Sequence, residues 1–148
     1  MTYTYHLISG MIVEPNTPDT AVKAGPLVVE HNDFGVWGED MAQQYMVEQG
    51  YSLLHRDWRC GHRDLDLVMY KDGIVVFVEV KARANDFLVS PEQAVDVKKI
   101  RSLSIAANAY VKKYRINADL RFDIVAITGT ISTGYKINHI PDAFYPIR

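Results

Sequence analysis

Two neighbouring hydrophobic stretches carry the residue types needed to hold a divalent cation beside a phosphodiester: Asp64 and Asp66 in the first, Glu79 and Lys81 in the second. Period-two alternation puts Asp64 and Asp66 on one face of a strand, and Glu79 and Lys81 on one face of another. Lys71-Asp72-Gly73 between them is a turn signal, and a two-residue turn at Asp72-Gly73 pairs Lys71 with Ile74. Asp66 then falls opposite Glu79 and Asp64 opposite Lys81, with Cβ atoms roughly 4.5–5.5 Å apart. Carboxylates so placed repel each other unless a cation lies between them, and Mg²⁺ suits a site of one or two carboxylates with several waters. Asp66 and Glu79 are therefore the expected ligands, with Mg²⁺ or Mn²⁺ as the expected ion. The Lys81 ammonium could position water and offset charge on phosphate oxygens. These are the requirements of phosphodiester hydrolysis. A plainer alternative stands beside them, because Glu-x-Lys is common on strands and an Asp64–Lys81 pair is ordinary surface electrostatics.

The elements that must carry these residues follow from pattern. A helix is predicted over 38–49, where Met41, Ala42, Tyr45 and Met46 form an apolar stripe and Gly50 is a natural stop. Strands are predicted over 51–58, 64–70 and 74–82. A second helix is predicted over 91–115, with Ser90 as N-cap, Pro91 at the first helical position and Gln93 closing a capping box. Strands at 120–128 and 131–140 follow. Strand 74–82, helix 91–115 and strand 120–128 make a βαβ unit with parallel pairing. The expected fold is α/β, an α-β-β-β-α-β core with a mixed sheet flanked by helices. Residues 1–33 read as an extension with one short strand at 3–13, residues 34–128 as the domain, and residues 129–148 as a C-terminal strand or extension.

Composition sets the outer limits. The chain has 148 residues, 48% hydrophobic and 23% charged, which is ordinary for one globular domain. A lone cysteine, Cys60, fits a reducing compartment. No apolar run suits a membrane span, and the N-terminus does not read as a signal peptide, so a cytoplasmic location without a membrane partner is expected. The net charge is −2, but residues 92–115 hold six bases and two acids. Lys98, Lys99 and Arg101 on that basic helix could contact phosphates, or form a solvated face. Cys60 and His62 lack a second Cys/His pair for zinc.

The motifs resemble the uncharacterised bacterial YraN-type family, placed in the PD-(D/E)xK endonuclease-like superfamily and similar to archaeal Holliday-junction resolvases. They are Gly35-Val36-Trp37-Gly38-Glu39, Gly50-Tyr51, Asp57-Trp58-Arg59, Asp64-Leu65-Asp66-Leu67-Val68, Phe77-Val78-Glu79-Val80-Lys81-Ala82-Arg83 and Arg121-Phe122-Asp123-Ile124-Val125. The resemblance covers about residues 34–128. It implies a restriction-endonuclease-like fold, metal ligation by Asp66 and Glu79, a catalytic Lys81, and Glu39 as a further acid brought from the first helix. It also implies a DNA substrate, branched or damaged structures among the candidates, and a homodimer by analogy with the resolvases. Two departures stand out: aspartate replaces the usual glutamate at position 64, and Arg63 the usual glycine. Gln93 could contact the site, although capping already occupies it, and Arg121 with Asp123 is at least as well read as a structural ion pair. Because fold does not fix function, two further readings stay open: a nucleic-acid-binding protein with weak or no hydrolysis, and a protein-assembly module working through the extension.

Overall fold

The computed structural model describes residues 6–8, 11–13, 31–85 and 95–146. Strands β1 (His6–Ile8) and β2 (Met11–Val13) pair antiparallel in a small separate sheet, where the sequence suggested one strand. Helix α1 (His31–Glu48) precedes strands β3 (Ser52–Cys60), β4 (Arg63–Lys71) and β5 (Ile74–Arg83). Helix α2 (Val97–Tyr114) and strands β6 (Asp119–Thr130) and β7 (Gly134–Ile140) complete the chain. The main sheet has the order β3-β4-β5-β6-β7, antiparallel throughout except for the parallel β5–β6 pair joined through α2. The fold is thus the expected α/β core, with β7 added to the sheet at its far edge.

Strand alternation builds a core on each face. Val75 and Phe77 pack with Leu103, Ala107 and Tyr110 of α2, while Val76 and Val78 pack with Ala42 and Met46 of α1. Each fully buried aliphatic or aromatic side chain contributes roughly 1.5–3 kcal/mol, so both helices are held mainly by these faces. The β4–β5 hairpin has the predicted register, Lys71 opposite Ile74 and Leu67 opposite Val78. Asp72 (φ 50°) and Gly73 (φ 81°) both adopt the positive φ that a type I′ turn demands.

Both helices begin elsewhere than their patterns suggest. Helix α1 starts at His31, seven residues before the expected Gly38. Ser90, Pro91 and Gln93 lie outside the described residues, but α2 does not run through from Pro91. Asp96 is extended (φ −81°, ψ 175°) and its side chain accepts a hydrogen bond from the Lys99 N–H at 2.9 Å, so Asp96 is the N-cap. Among the described residues no helix is long and apolar enough to cross a membrane.

Candidate active site

Strands β3 and β4 lose their regular alternation at one level, while β5 keeps its own. Arg56 pairs with Leu67, and both face α1; the next recorded pair, Trp58 with Leu65, lies in the α2 core. A regular strand would keep Leu65 and Leu67 on one face. The break falls on Asp57 and Asp66, which lie between these pairs, and Asp57 takes a left-handed backbone (φ 50°). Aspartate tolerates that conformation better than most residues. On the other side, the β4–β5 ladder ends at Leu67–Val78. Beyond it, the Asp66 carboxylate accepts a hydrogen bond from the Val80 N–H at 2.9 Å. A side-chain oxygen thus takes the place of a ladder carbonyl.

Helix α1 supplies the third acid. A Cβ added at Gly38 would lie 2.6 Å from the Ala82 Cβ, so only glycine lets the helix approach β5 this closely. Glu39, the next residue, has carboxylate oxygens grouped with those of Asp57 and Asp66, one from each lying within 4.8 Å of the others. Arg56 ties this corner together, bonding Glu39 at 3.4 Å, Gln43 at 3.2 Å and also Asp40. Burial pushes the Glu39 carboxyl up to about 7, Asp57 adds to the shift, and Arg56 opposes it. Asp66 is held well above the usual carboxylate range by burial first and the Glu79 charge second, against the Val80 N–H.

Glu79 and Lys81 face α2. Glu79 is only 4% exposed, and its Oε1 lies 3.3 Å from Lys81 Nζ and 3.4 Å from Lys99 Nζ. Lys81 therefore pairs with Glu79 on its own strand, while Asp64 is exposed and sits opposite Arg59. The other carboxylate oxygen, Glu79 Oε2, is buried without a hydrogen-bond partner. An orphaned buried carboxylate oxygen is costly and calls for a compensating group. Of the three basic residues predicted on α2, Lys99 reaches this carboxylate, whereas Lys98 and Arg101 are exposed.

Hard carboxylate oxygens gathered this closely suit Mg²⁺ or Mn²⁺. Asp66, Glu39 and Asp57 form the group that could share one ion, and Glu79 Oε2 is an adjacent unsatisfied donor. Asp57 was missed in the sequence. Its one signal is an aspartate where the resembled family carries asparagine, since both residues tolerate positive φ.

Arg121 and Asp123 have a structural task. Asp123 is fully buried and accepts from Arg121 (2.8 Å to each oxygen) and the Asp142 N–H (3.0 Å), with His139 Nε2 at 2.7 Å. Arg121 also donates to the Tyr51 hydroxyl at 2.6 Å. The cluster fastens β7 and the turn after it to β6.

Sheet order, helix placement and parted central strands define an α/β protein with a restriction-endonuclease-like core. The sequence profile of the uncharacterised protein family UPF0102 matches residues 38–127. A UPF0102 protein of Parabacteroides distasonis is 47% identical over 118 residues, covering 80% of this chain and 97% of that protein. Another, from Bacteroides thetaiotaomicron, is 44% identical over 119 residues, 80% of this chain and 98% of its own. A third, from Flavobacterium psychrophilum, is 37% identical over 118 residues with 80% and 98% coverage. The chain belongs to the UPF0102 family, the YraN-type family its motifs resemble.

Proposed function

We propose that this protein is a Mg²⁺- or Mn²⁺-dependent endonuclease acting on DNA, with branched or damaged structures as its candidate substrates. The observation that carries this reading is the convergence of Glu39, Asp57 and Asp66 where β4 and β5 part, beside Glu79 and Lys81. Asp66, Glu39 and Asp57 would hold the ion, with Glu79 completing the acidic group. Bound there, the ion would supply Lewis acidity and a more acidic water. The ion pair with Glu79 holds the Lys81 ammonium on one face of β5, where it can offset charge developing on phosphate oxygens. Exposed Lys98 and Arg101 supply positive charge along α2 for the flanking backbone. A cytoplasmic setting suits the exposed, unpaired thiol of Cys60. A homodimer by analogy with the resolvases is open to test by light scattering.

One observation favours a second reading, a nucleic-acid binder with little hydrolysis: Glu79 Oε1 already has two ammonium partners, Lys81 and Lys99. The test is incubation of linear, flapped and four-way-junction DNA with Mg²⁺, Mn²⁺ or EDTA. Metal-dependent cleavage supports the first reading. Binding without cleavage on every substrate supports the second.

A further inference from the structure

Glu79 is the floor of a small surface site whose rim is cationic. The carboxylate is 4% exposed, whereas the Lys81 side chain keeps 25% and that of Lys99 35% of their accessible surface. Both ammonium groups approach the same oxygen, Oε1, so they lie within about 7 Å of each other. Both sit on Oε1 and leave Oε2 without a partner, and at that range the two ammonium groups repel each other. Lys99 is also poorly placed for its helix. It stands in the first turn of α2, where the dipole is positive and no acidic residue lies within that turn. The Asp96 cap, bonded to the Lys99 backbone, fixes that turn in place. Two ammonium groups and a helix start thus meet beside the buried Glu79, with Asp66 and Asp64 also acting on Lys99, and the exposed sides of both lysines point to an anion from outside.

We propose that Lys99 is a second substrate lysine of the site, paired with Lys81 across Glu79, and that it binds a non-bridging oxygen of a DNA backbone phosphate. This rests on the nuclease reading above and extends it from strand β5 to helix α2. Lys99 differs from Lys98 and Arg101 in this respect: it acts at the reacting phosphate, whereas they meet flanking ones. Its ammonium binds ground state and transition state alike, so its loss shows mainly in KM, while loss of Lys81 shows in kcat.

The test uses the full chain with Lys99→Ala, Lys99→Arg and, as control, Lys112→Ala on the last turn of the same helix. DNA affinity is measured across a salt series in EDTA, and cleavage kinetics in Mn²⁺. Lys99→Ala should lower the log–log salt slope by roughly 0.9. It should also raise KM by about 10-fold with kcat within a few-fold, the loss expected for one charged contact. Lys99→Arg should restore most of both and serves as the folded comparison if the alanine variant is unstable; Lys112→Ala should match wild type. A Lys99→Ala protein that binds and cleaves with wild-type slope and KM, or an arginine variant as weak as a misfolded alanine one, overturns the proposal alone. Wild-type protein inert toward DNA overturns the nuclease reading and this proposal with it.

Discussion

The carboxylate of Asp66 accepts a hydrogen bond from the Val80 N–H at 2.9 Å, at the level where β4 and β5 stop pairing. The acid therefore does two things: it closes the end of a ladder and places a charge beside Glu79. These roles can be separated. Asp66→Asn keeps an oxygen acceptor and removes a repelled charge, so its stability should equal or exceed wild type. Asp66→Ala leaves the Val80 N–H unsatisfied and should cost about 1–2 kcal/mol. Both should abolish Mn²⁺ binding. Urea unfolding with Mn²⁺ calorimetry checks this, and unchanged Mn²⁺ affinity in both variants would remove Asp66 from the metal site.

Burial of the acidic group, with charge repulsion added, sets a pH dependence. Glu39 titrates at about 7 against an ordinary 4.5, so the folded state binds more protons across that interval. Stability from this source is complete below 4.5 and is lost as pH rises through about 7. His55 acts oppositely: burial first, then Lys113, hold it near 4, so its contribution grows between about 4 and 6.5 and is constant above. Between pH 6.5 and 8 the raised carboxyls of Glu39 and Asp66 still act. In EDTA the melting temperature should fall across that window, and Glu39→Gln should flatten the fall. With Mn²⁺ the trend should reverse, because ligands bind metal only when deprotonated. Identical profiles with and without Mn²⁺ would count against the ion.

The positions of the principal residues were legible because they depend on local rules. Asp72-Gly73 determined the turn, the turn set the register, and the register brought Asp66 toward Glu79. Asp57 was not legible, since its place depends on a break in alternation shared with a neighbouring strand, and on a register shift between Leu53 and His55. Nor was the partner of Lys81. Alternation gives its face, but only packing of α2 brings Lys99 to the same Glu79 oxygen. The start of α2 was misread because Ser90-Pro91 is a strong cap signal, while Asp96 carries the cap that forms.

Asp123 should matter for folding and not for chemistry. It is buried and bonded to Arg121, His139 and the Asp142 N–H, so Asp123→Ala leaves a partly buried cation short of its carboxylate and loosens the turn after β7. Removing one partner of such a pair costs ~3–5 kcal/mol. Unfolding in urea at pH 7 should show this loss. Mn²⁺ affinity of the fraction still folded should be unchanged.

Lys81 should affect rate more than stability or binding. Lys81→Ala leaves Lys99 on Glu79, which limits the effect on folding. The cleavage rate should fall by ~10²-fold or more, as for other preorganised electrostatic groups. Lys81→Met keeps much of the apolar stem and controls for packing. Equal rates in wild type and both variants would reduce Lys81 to a salt-bridge partner.

The most direct test of a metal-dependent nuclease centred on Asp66 is the single-turnover cleavage rate of Asp66→Asn in Mn²⁺, on whichever DNA structure wild type cuts fastest. The variant should melt no lower than wild type and cleave at least ~10²-fold more slowly, matching wild type in EDTA. Wild-type cleavage by the folded variant, or cleavage that persists in EDTA, would contradict the account.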